Sequence, residues 1–137
     1  METGVYYFAY GSNLSRRQMQ ARCPDSRPRC RAVLPGYKRV FKGRSGKWRG
    51  GVATIEQSPS DEVKGAVYEI SEGDLRRLDK CEGYPGVYDR VHVRVEKEDG
   101  DFLEAITYVK LDQSGEIPPS QAYLAVIQQG YSDWGIA

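Results

Sequence analysis

One stretch in the second half of the chain constrains the fold most, because its pattern predicts two strands joined by a turn. Residues 88–98, YDRVHVRVEKE, alternate polar and apolar side chains, which places Val91, Val93 and Val95 on one face. The acidic, glycine-containing turn at 98–101 leads directly into a second strand-like run, FLEAITYVKL. The chain therefore contains an antiparallel hairpin, and its fold has to include a sheet.

Further strands and short helices are predicted on both sides of this hairpin. Strands are predicted at 5–10, 31–42, 51–57 and 62–70. Pro35-Gly36 breaks the second of these, and Ser-Pro-Ser-Asp at 58–61 indicates a hairpin between the last two. Helices are predicted at 15–22, from the N-cap Ser71 to Gly83, and from Pro118-Pro119-Ser120 to Gly130.

Six strands in hairpins with helices between them predict an α+β fold. We expect a curved or closed, antiparallel-rich β-barrel of about six strands with interspersed helices. At 137 residues the chain has the size of one domain, which we assign to residues 1–137.

The charge is distributed unevenly along the chain. Residues 1–50 contain 12 Lys and Arg against 2 acidic residues, whereas the other 87 residues contain 8 against 17. A basic half is compatible with a nucleic-acid-binding module, but that class interleaves aromatic residues with its cations, and here the aromatic residues come first. We expect the two halves to fold together and neutralise each other, with no nucleic-acid partner.

The sequence gives no indication of a membrane or of export. No apolar run approaches the roughly 20 residues that a membrane span needs. The start, METGVYYFAYG, has no basic region ahead of an apolar segment, so we expect no signal peptide and predict a cytoplasmic protein.

The usual catalytic templates are missing from the sequence. Cys23, Cys30, Cys81 and the single His92 match no common zinc spacing, so we expect reduced thiols and no metal. There is no nucleophile elbow and no P-loop, and His92 lies among charged residues of an alternating strand. Any reaction here has to proceed without an activated nucleophile from the protein.

The first candidate site is the stretch YFAYGSNLS, where an aromatic strand ends and a helix begins. Successive backbone N–H groups at such a junction bind anions and stabilise oxyanions, and Gly11 permits a ligand to approach the backbone. The alternative is that Ser12, Asn13 or Ser15 is an ordinary helix cap.

The second candidate site is Glu82, in the last helical turn before Gly83. A carboxylate is disfavoured at the negative end of a helix dipole, and the apolar parts of Tyr84, Pro85 and Tyr88 should raise its pKa further. The alternative is a surface glutamate paired with Lys80 or with an arginine.

Three motifs in register resemble the γ-glutamylcyclotransferase family, with its AIG2-like fold. They are YFAYGSNL, WRGGVATIEQSPSDEVKGAVYEI and LDKCEGYPGVYDR, and with PPSQAY the resemblance runs from about residue 6 to about 130. It implies a closed barrel and cofactor-free cleavage of a γ-glutamyl amide to 5-oxoproline and a free amine or amino acid.

The resemblance also implies roles for individual residues. Glu82 matches the family's acid/base glutamate. Substrate-binding positions carry over to Tyr7, Phe8, Ala9, Tyr10, Gly11, Ser12, Asn13 and Tyr123. Tyr88 and Tyr108 are further candidates for the pocket wall. The substrate's own α-amine can attack the γ-carbonyl and close a five-membered ring, so the absence of a protein nucleophile is no obstacle.

Several alternatives stay open at this stage. The YGSN form favours γ-glutamyl amino acids, while γ-glutamyl amines and a γ-glutamyl protecting group of a biosynthetic intermediate are the other leaving groups considered. The basic loop at 42–51 either lines the path of an anionic leaving group or is a solvated hairpin. A binder without catalysis, hydrolysis to glutamate, and a homodimer are further possibilities.

Overall fold

The computed structural model describes residues 4–111 and 115–136, without the side chain of Arg44. Five strands make up the sheet: β1 Val5–Ala9, β2 Arg27–Ser45, β3 Gly50–Ile70, β4 Tyr88–Lys97 and β5 Phe102–Lys110. Three α-helices accompany it: α1 Arg16–Arg22, α2 Glu72–Glu82 and α3 Gln121–Trp134. A short 3-10 turn, Ser12–Leu14, joins β1 to α1.

The strands form a closed barrel in the order β1-β3-β2-β4-β5. Neighbours are antiparallel except where β1 meets β5 in parallel, with Tyr7 opposite Ile106, and this pairing closes the barrel. The predicted α+β class and the closed barrel are confirmed. The predicted hairpin of β4 and β5 is also present, in continuous register from Tyr88 opposite Lys110 to Glu96 opposite Phe102.

The hairpin predicted at residues 58–61 is wrong. The segments on either side of it belong to one strand, β3, and both pair with β2. Four residues of β3 (58–61) lie opposite the single residue Gly36, which has a φ of 83°. The proline and glycine signals therefore mark a large bulge at which two long strands bend together, because Pro donates no ladder hydrogen bond and Gly adopts a positive φ.

The end predicted for the last helix at Gly130 is also wrong, because α3 continues to Trp134 and is capped by Gly135 at a φ of 65°. A Cβ at position 130 would lie 2.4 Å from the Cβ of Leu14. Gly130 is therefore a contact point within the helix, where α3 packs closely against the turn that follows β1.

The Gly50-Gly51 pair has a similar role at the start of β3. The N–H of Gly51 donates to the carbonyl of Pro118 at 3.0 Å, and Ser120 caps α3 by accepting from the N–H of Tyr123. This backbone contact fixes the segment that leads into α3. As a result the Tyr123 hydroxyl accepts from the N–H of Ala53 at 2.8 Å.

The two halves of the chain neutralise each other, as expected from the charge distribution. Five ion pairs in the described part of the chain join a base of residues 1–50 to an acid of the second half. They are Arg22–Glu82, Arg29–Glu69, Arg31–Glu98, Lys38–Glu56 and Lys42–Glu56. Within residues 4–111 and 115–136 no helix is long and apolar enough to cross a membrane.

Gly51→Ala should destabilise the protein, because the added Cβ would lie 2.1 Å from the Ile117 carbonyl oxygen. We expect the free energy of unfolding in urea to fall by about 1–3 kcal/mol. Gly46→Ala is the matched control in the same hairpin, where a Cβ meets nothing within 4 Å, and its change should stay within about 0.5 kcal/mol. Equal effects of the two substitutions would contradict the close contact.

Candidate active site

A cavity of about 340 Å³ lies where the end of β1 meets the ends of α1 and α2. Most residues predicted for the site line it: Tyr7, Tyr10, Gly11, Ser12, Asn13, Glu82, Tyr88, Tyr108 and Tyr123. Phe8 and Ala9 do not follow this pattern, since both are fully buried in the hydrophobic core. They pair with Val67 and Ala66 of β3, so the core of the barrel surrounds them instead of the cavity.

The turn Ser12–Leu14 is held from its buried side by hydrogen bonds to its carbonyl groups. The Tyr68 hydroxyl donates to the carbonyl of Asn13 at 2.8 Å, and the Trp134 indole N–H donates to that of Leu14 at 3.0 Å. Tyr68 and Trp134 pack edge to face, with ring centroids 5.4 Å apart. Two buried aromatic side chains thus fix the orientation of this turn.

The backbone N–H groups at the start of this turn are a second feature of the site. Among the described residues, no hydrogen-bond acceptor is found for the backbone N–H groups of Gly11, Ser12 and Asn13, and all three residues line the cavity. Backbone donors of this kind bind carboxylates and oxyanions. The turn therefore has the donors that an anionic ligand group requires.

The helix-cap alternative applies to Ser15, not to Ser12 or Asn13. Ser15 Oγ accepts from the N–H of Gln18 and caps α1. The side-chain amide of Gln18 donates to Ser12 Oγ at 2.7 Å and to Asn13 Oδ1 at 3.0 Å, and Asn13 Nδ2 donates to the Tyr7 hydroxyl at 3.0 Å. Ser12 and Asn13 thus belong to a side-chain network that fixes the turn.

Three of the tyrosine hydroxyls around the cavity are bonded to the backbone of the barrel. Tyr88 donates to the carbonyl of Ala53 at 2.9 Å, and Tyr123 accepts from the N–H of the same residue. Tyr10 donates to the carbonyl of Tyr108. Burial raises the pKa of Tyr123 to about 12, so its hydroxyl is neutral at physiological pH.

Glu82 is the last residue of α2, and Gly83 caps the helix at a φ of 69°. Its side chain is 17% exposed and approaches Arg22, with 3.8 Å between Oε2 and Nη1. Burial raises the pKa of Glu82, although the charges of Arg22 and Lys110 act to lower it. The alternative of an arginine partner is therefore correct, but this glutamate is largely buried and lines the cavity. Burial is the main cause of its raised pKa.

A second network holds the end of α2 against the barrel. The Tyr108 hydroxyl donates to Asp79 Oδ1 at 2.6 Å, and Arg90 donates to the other carboxylate oxygen of Asp79. The carbonyl of Asp79 accepts from the N–H of Tyr84 just beyond Glu82. These contacts limit the movement of the helix end that carries Glu82.

Sequence reasoning missed Arg22, Asp79, Arg90 and Lys110. Each of these residues acts on a partner that belongs to a different element of the fold. No spacing along the chain therefore connects the two members of a pair. Among the described residues, no group of three His, Cys, Asp or Glu side chains is close enough to hold a metal ion.

Comparison with known proteins gives consistent matches. A family model described as gamma-glutamyl cyclotransferase, AIG2-like, matches residues 7–130. Gamma-glutamylcyclotransferase of Homo sapiens is 36% identical over 140 residues, which cover 98% of this chain and 74% of the human protein. The mouse protein of the same name is 36% identical over 135 residues, covering 95% and 71%.

Solved structures agree with these sequence matches. A structure named gamma-glutamyl cyclotransferase superposes with a TM-score of 0.92 at 34% identity, covering 97% of this chain and 81% of its own. An AIG2-like protein of Mus musculus has a TM-score of 0.66 at 21% identity, covering 90% and 84%, and shares the fold.

The raised pKa of Glu82 should make stability depend on pH. Above the ordinary value of 4.5 the unfolded chain releases a proton that folded Glu82 still holds. The free energy of unfolding therefore falls as pH rises from 4.5 through the raised pKa. Glu82→Gln should lack this loss, so its stability relative to the wild type should increase across the same interval in urea unfolding at several pH values.

Glu104→Gln is the control for this titration, because the Glu104 side chain is 74% exposed. Its pH profile should follow that of the wild type. Identical profiles for the wild type and Glu82→Gln, or a carboxyl ¹³C titration of Glu82 at the ordinary pKa, would contradict the burial argument.

Proposed function

The chain belongs to the gamma-glutamyl cyclotransferase, AIG2-like family, and on this premise we propose that it converts a γ-glutamyl amino acid to 5-oxoproline and the free amino acid. The observation that carries the proposal is the position of Glu82. Its buried carboxyl, with a raised pKa, lines the same cavity as residues 11–13, whose backbone N–H groups have no acceptor among the described residues.

The reaction needs a base and then an acid. Glu82 removes a proton from the substrate's α-ammonium group, and the free amine attacks the γ-carbonyl carbon. A C–N bond closes the five-membered ring, and the carbonyl oxygen becomes an oxyanion. Glu82 then returns its proton to the leaving nitrogen as the oxyanion re-forms a carbonyl and the original amide bond breaks. The ring nitrogen gives up its second proton to the departing amine, which leaves as an ammonium ion, so no proton is gained or lost overall.

A raised pKa suits both steps. A carboxyl of ordinary pKa is a weak base toward an ammonium group and is rarely protonated near neutral pH. Burial of Glu82 reduces the difference between the pKa values of donor and acceptor. The ion pair with Arg22 opposes this effect, so the carboxylate remains accessible as the starting state.

The turn after β1 supplies the other half of the mechanism. The N–H groups of Gly11, Ser12 and Asn13 would bind the developing oxyanion or the α-carboxylate of the substrate. Their preorganisation requires no rearrangement during the reaction, because Tyr68 and Trp134 already fix the turn. Tyr7, Tyr10, Tyr88, Tyr108 and Tyr123 enclose the folded substrate.

Three other parts of the sequence-based interpretation stay predictions: the alternative leaving groups, the location and the oligomeric state. The leaving group of a γ-glutamyl amine or of a protected biosynthetic intermediate would use the same chemistry. A cytoplasmic location and a homodimer are also still predictions.

Glu82→Gln should lower kcat for a γ-glutamyl amino acid by at least about a hundredfold, because general acid–base catalysis contributes typically 10²–10⁴-fold. Mass spectrometry of 5-oxoproline measures the rate, with γ-glutamyl-alanine as the first substrate. Glu104→Gln is the control and should leave kcat unchanged. Loss of activity in both variants would point to a folding defect, and undiminished activity in Glu82→Gln would refute its role.

The origin of the nucleophile can be tested in H₂¹⁸O. Cyclisation uses the internal amine, so we expect unlabelled 5-oxoproline and an unlabelled amino acid. Hydrolysis would instead give glutamate with ¹⁸O in its γ-carboxylate. An N-acetylated substrate should inhibit without turnover, because its amide nitrogen is a poor nucleophile. Labelled glutamate as the main product would replace cyclisation with hydrolysis.

A further inference from the structure

The cavity lining has an excess of positive charge. Among the described residues that line it, Glu82 is the one carboxylate, whereas four are cations: Arg22, Lys47, Lys80 and Lys110. They come from four separate elements, namely the end of α1, the β2–β3 turn, the last turn of α2 and the end of β5. Four elements thus bring positive charge to one cavity.

Burial divides these cations into an inner and an outer pair. Arg22 and Lys110 are partly buried and act on the carboxyl of Glu82. Arg22 also donates to Asn13 Oδ1, and Lys110 lies 5.1 Å from the centre of the Tyr88 ring. This inner pair surrounds the reacting groups. Lys47 and Lys80 are exposed and lie at the mouth of the cavity.

The outer pair has no protein carboxylate to neutralise it in the part of the chain that the structure describes. The position of Lys80 is partly explained by the helix dipole, because a cation is favoured near the negative end of α2. Lys47 has no such explanation, because it lies on the turn between two strands. Its ammonium group is 5.1 Å from the centre of the Trp48 ring, which in turn packs 5.0 Å from Tyr123. The Lys47 ammonium group thus lies beside Trp48, and Trp48 and Tyr123 are both part of the cavity wall.

We propose that Lys47 and Lys80 form a carboxylate-binding subsite that selects γ-glutamyl substrates whose leaving amino acid has an acidic side chain. The inference rests on the proposed function and adds the class of leaving group. The inner groups serve the γ-glutamyl part, and two outer lysines then match the two carboxylates of a leaving glutamate or aspartate. The basic loop at 42–51, which contains Lys47, would then line the path of an anionic leaving group. This is one of the two interpretations that the sequence allowed.

A pair of nearly isosteric dipeptides tests the subsite. We expect kcat/KM for γ-glutamyl-glutamate to exceed that for γ-glutamyl-glutamine by about tenfold, since exposed ion pairs are individually weak. The double variant Lys47→Gln/Lys80→Gln should reduce this ratio to near one. Lys64→Gln removes one positive charge from an exposed lysine elsewhere on β3, and the ratio should persist in that control.

Salt provides a second measurement on the unaltered protein. Added NaCl screens exposed charges, so KM for γ-glutamyl-glutamate should rise more steeply with ionic strength than KM for γ-glutamyl-glutamine. This difference should be lost in the double variant.

The outcomes separate this inference from the proposed function. Equal kcat/KM values for both dipeptides, with 5-oxoproline formed from each, would overturn the subsite and leave the cyclotransferase reaction intact. A high ratio that survives in the double variant would overturn the assignment to these two lysines. If neither dipeptide nor γ-glutamyl-alanine gave 5-oxoproline, both proposals would fall.

Discussion

The hydrogen bonds from Tyr68 and Trp134 to the carbonyl groups of Asn13 and Leu14 are the interaction on which the site depends. The peptide groups that carry these two carbonyls donate their own N–H groups, those of Leu14 and Ser15, to the carbonyls of Gly11 and Ser12, so each is bonded on both sides. The same aromatic pair that fills the space between barrel and α3 therefore holds the turn that places Ser12 and Asn13 beside the cavity. Burial leaves these bonds without competition from water, which makes the orientation costly to change.

Two opposing influences of the fold set the pKa of Glu82. Burial raises its pKa, and the nearby Arg22 and Lys110 limit the rise. Neither influence acts alone, because burial without cations would favour a permanently neutral acid, and cations without burial would favour an ordinary carboxylate. The contacts of Asp79 with Tyr108 and Arg90 keep the helix end in the position where both influences apply.

Local patterns in the sequence predicted most of the elements, and Glu82 was found because it violates a local rule at a helix end. The long-range features were not accessible in the same way. The bulge opposite Gly36 has the same proline and glycine signals as a hairpin, and pairing partners alone distinguish the two. Gly130 was interpreted as the end of the last helix, because glycine is common just after a helix. Its real role, close contact with Leu14, depends on a residue far away in the sequence. The substrate positions taken from family resemblance included Phe8 and Ala9, which the barrel places in its core.

The packing of α3 on the turn after β1 has a consequence for protein synthesis. Leu14 is near the start of the chain, whereas the Gly130 and Trp134 that contact it are near the other end of the described residues. A nascent chain that has already formed the β2–β3 pair contains Tyr68 but still lacks Gly130 and Trp134, the α3 residues that contact this turn. The contacts around this turn are complete only after residue 134 has been synthesised. Completion of the cavity wall is therefore a late event, which follows the synthesis of most of the barrel.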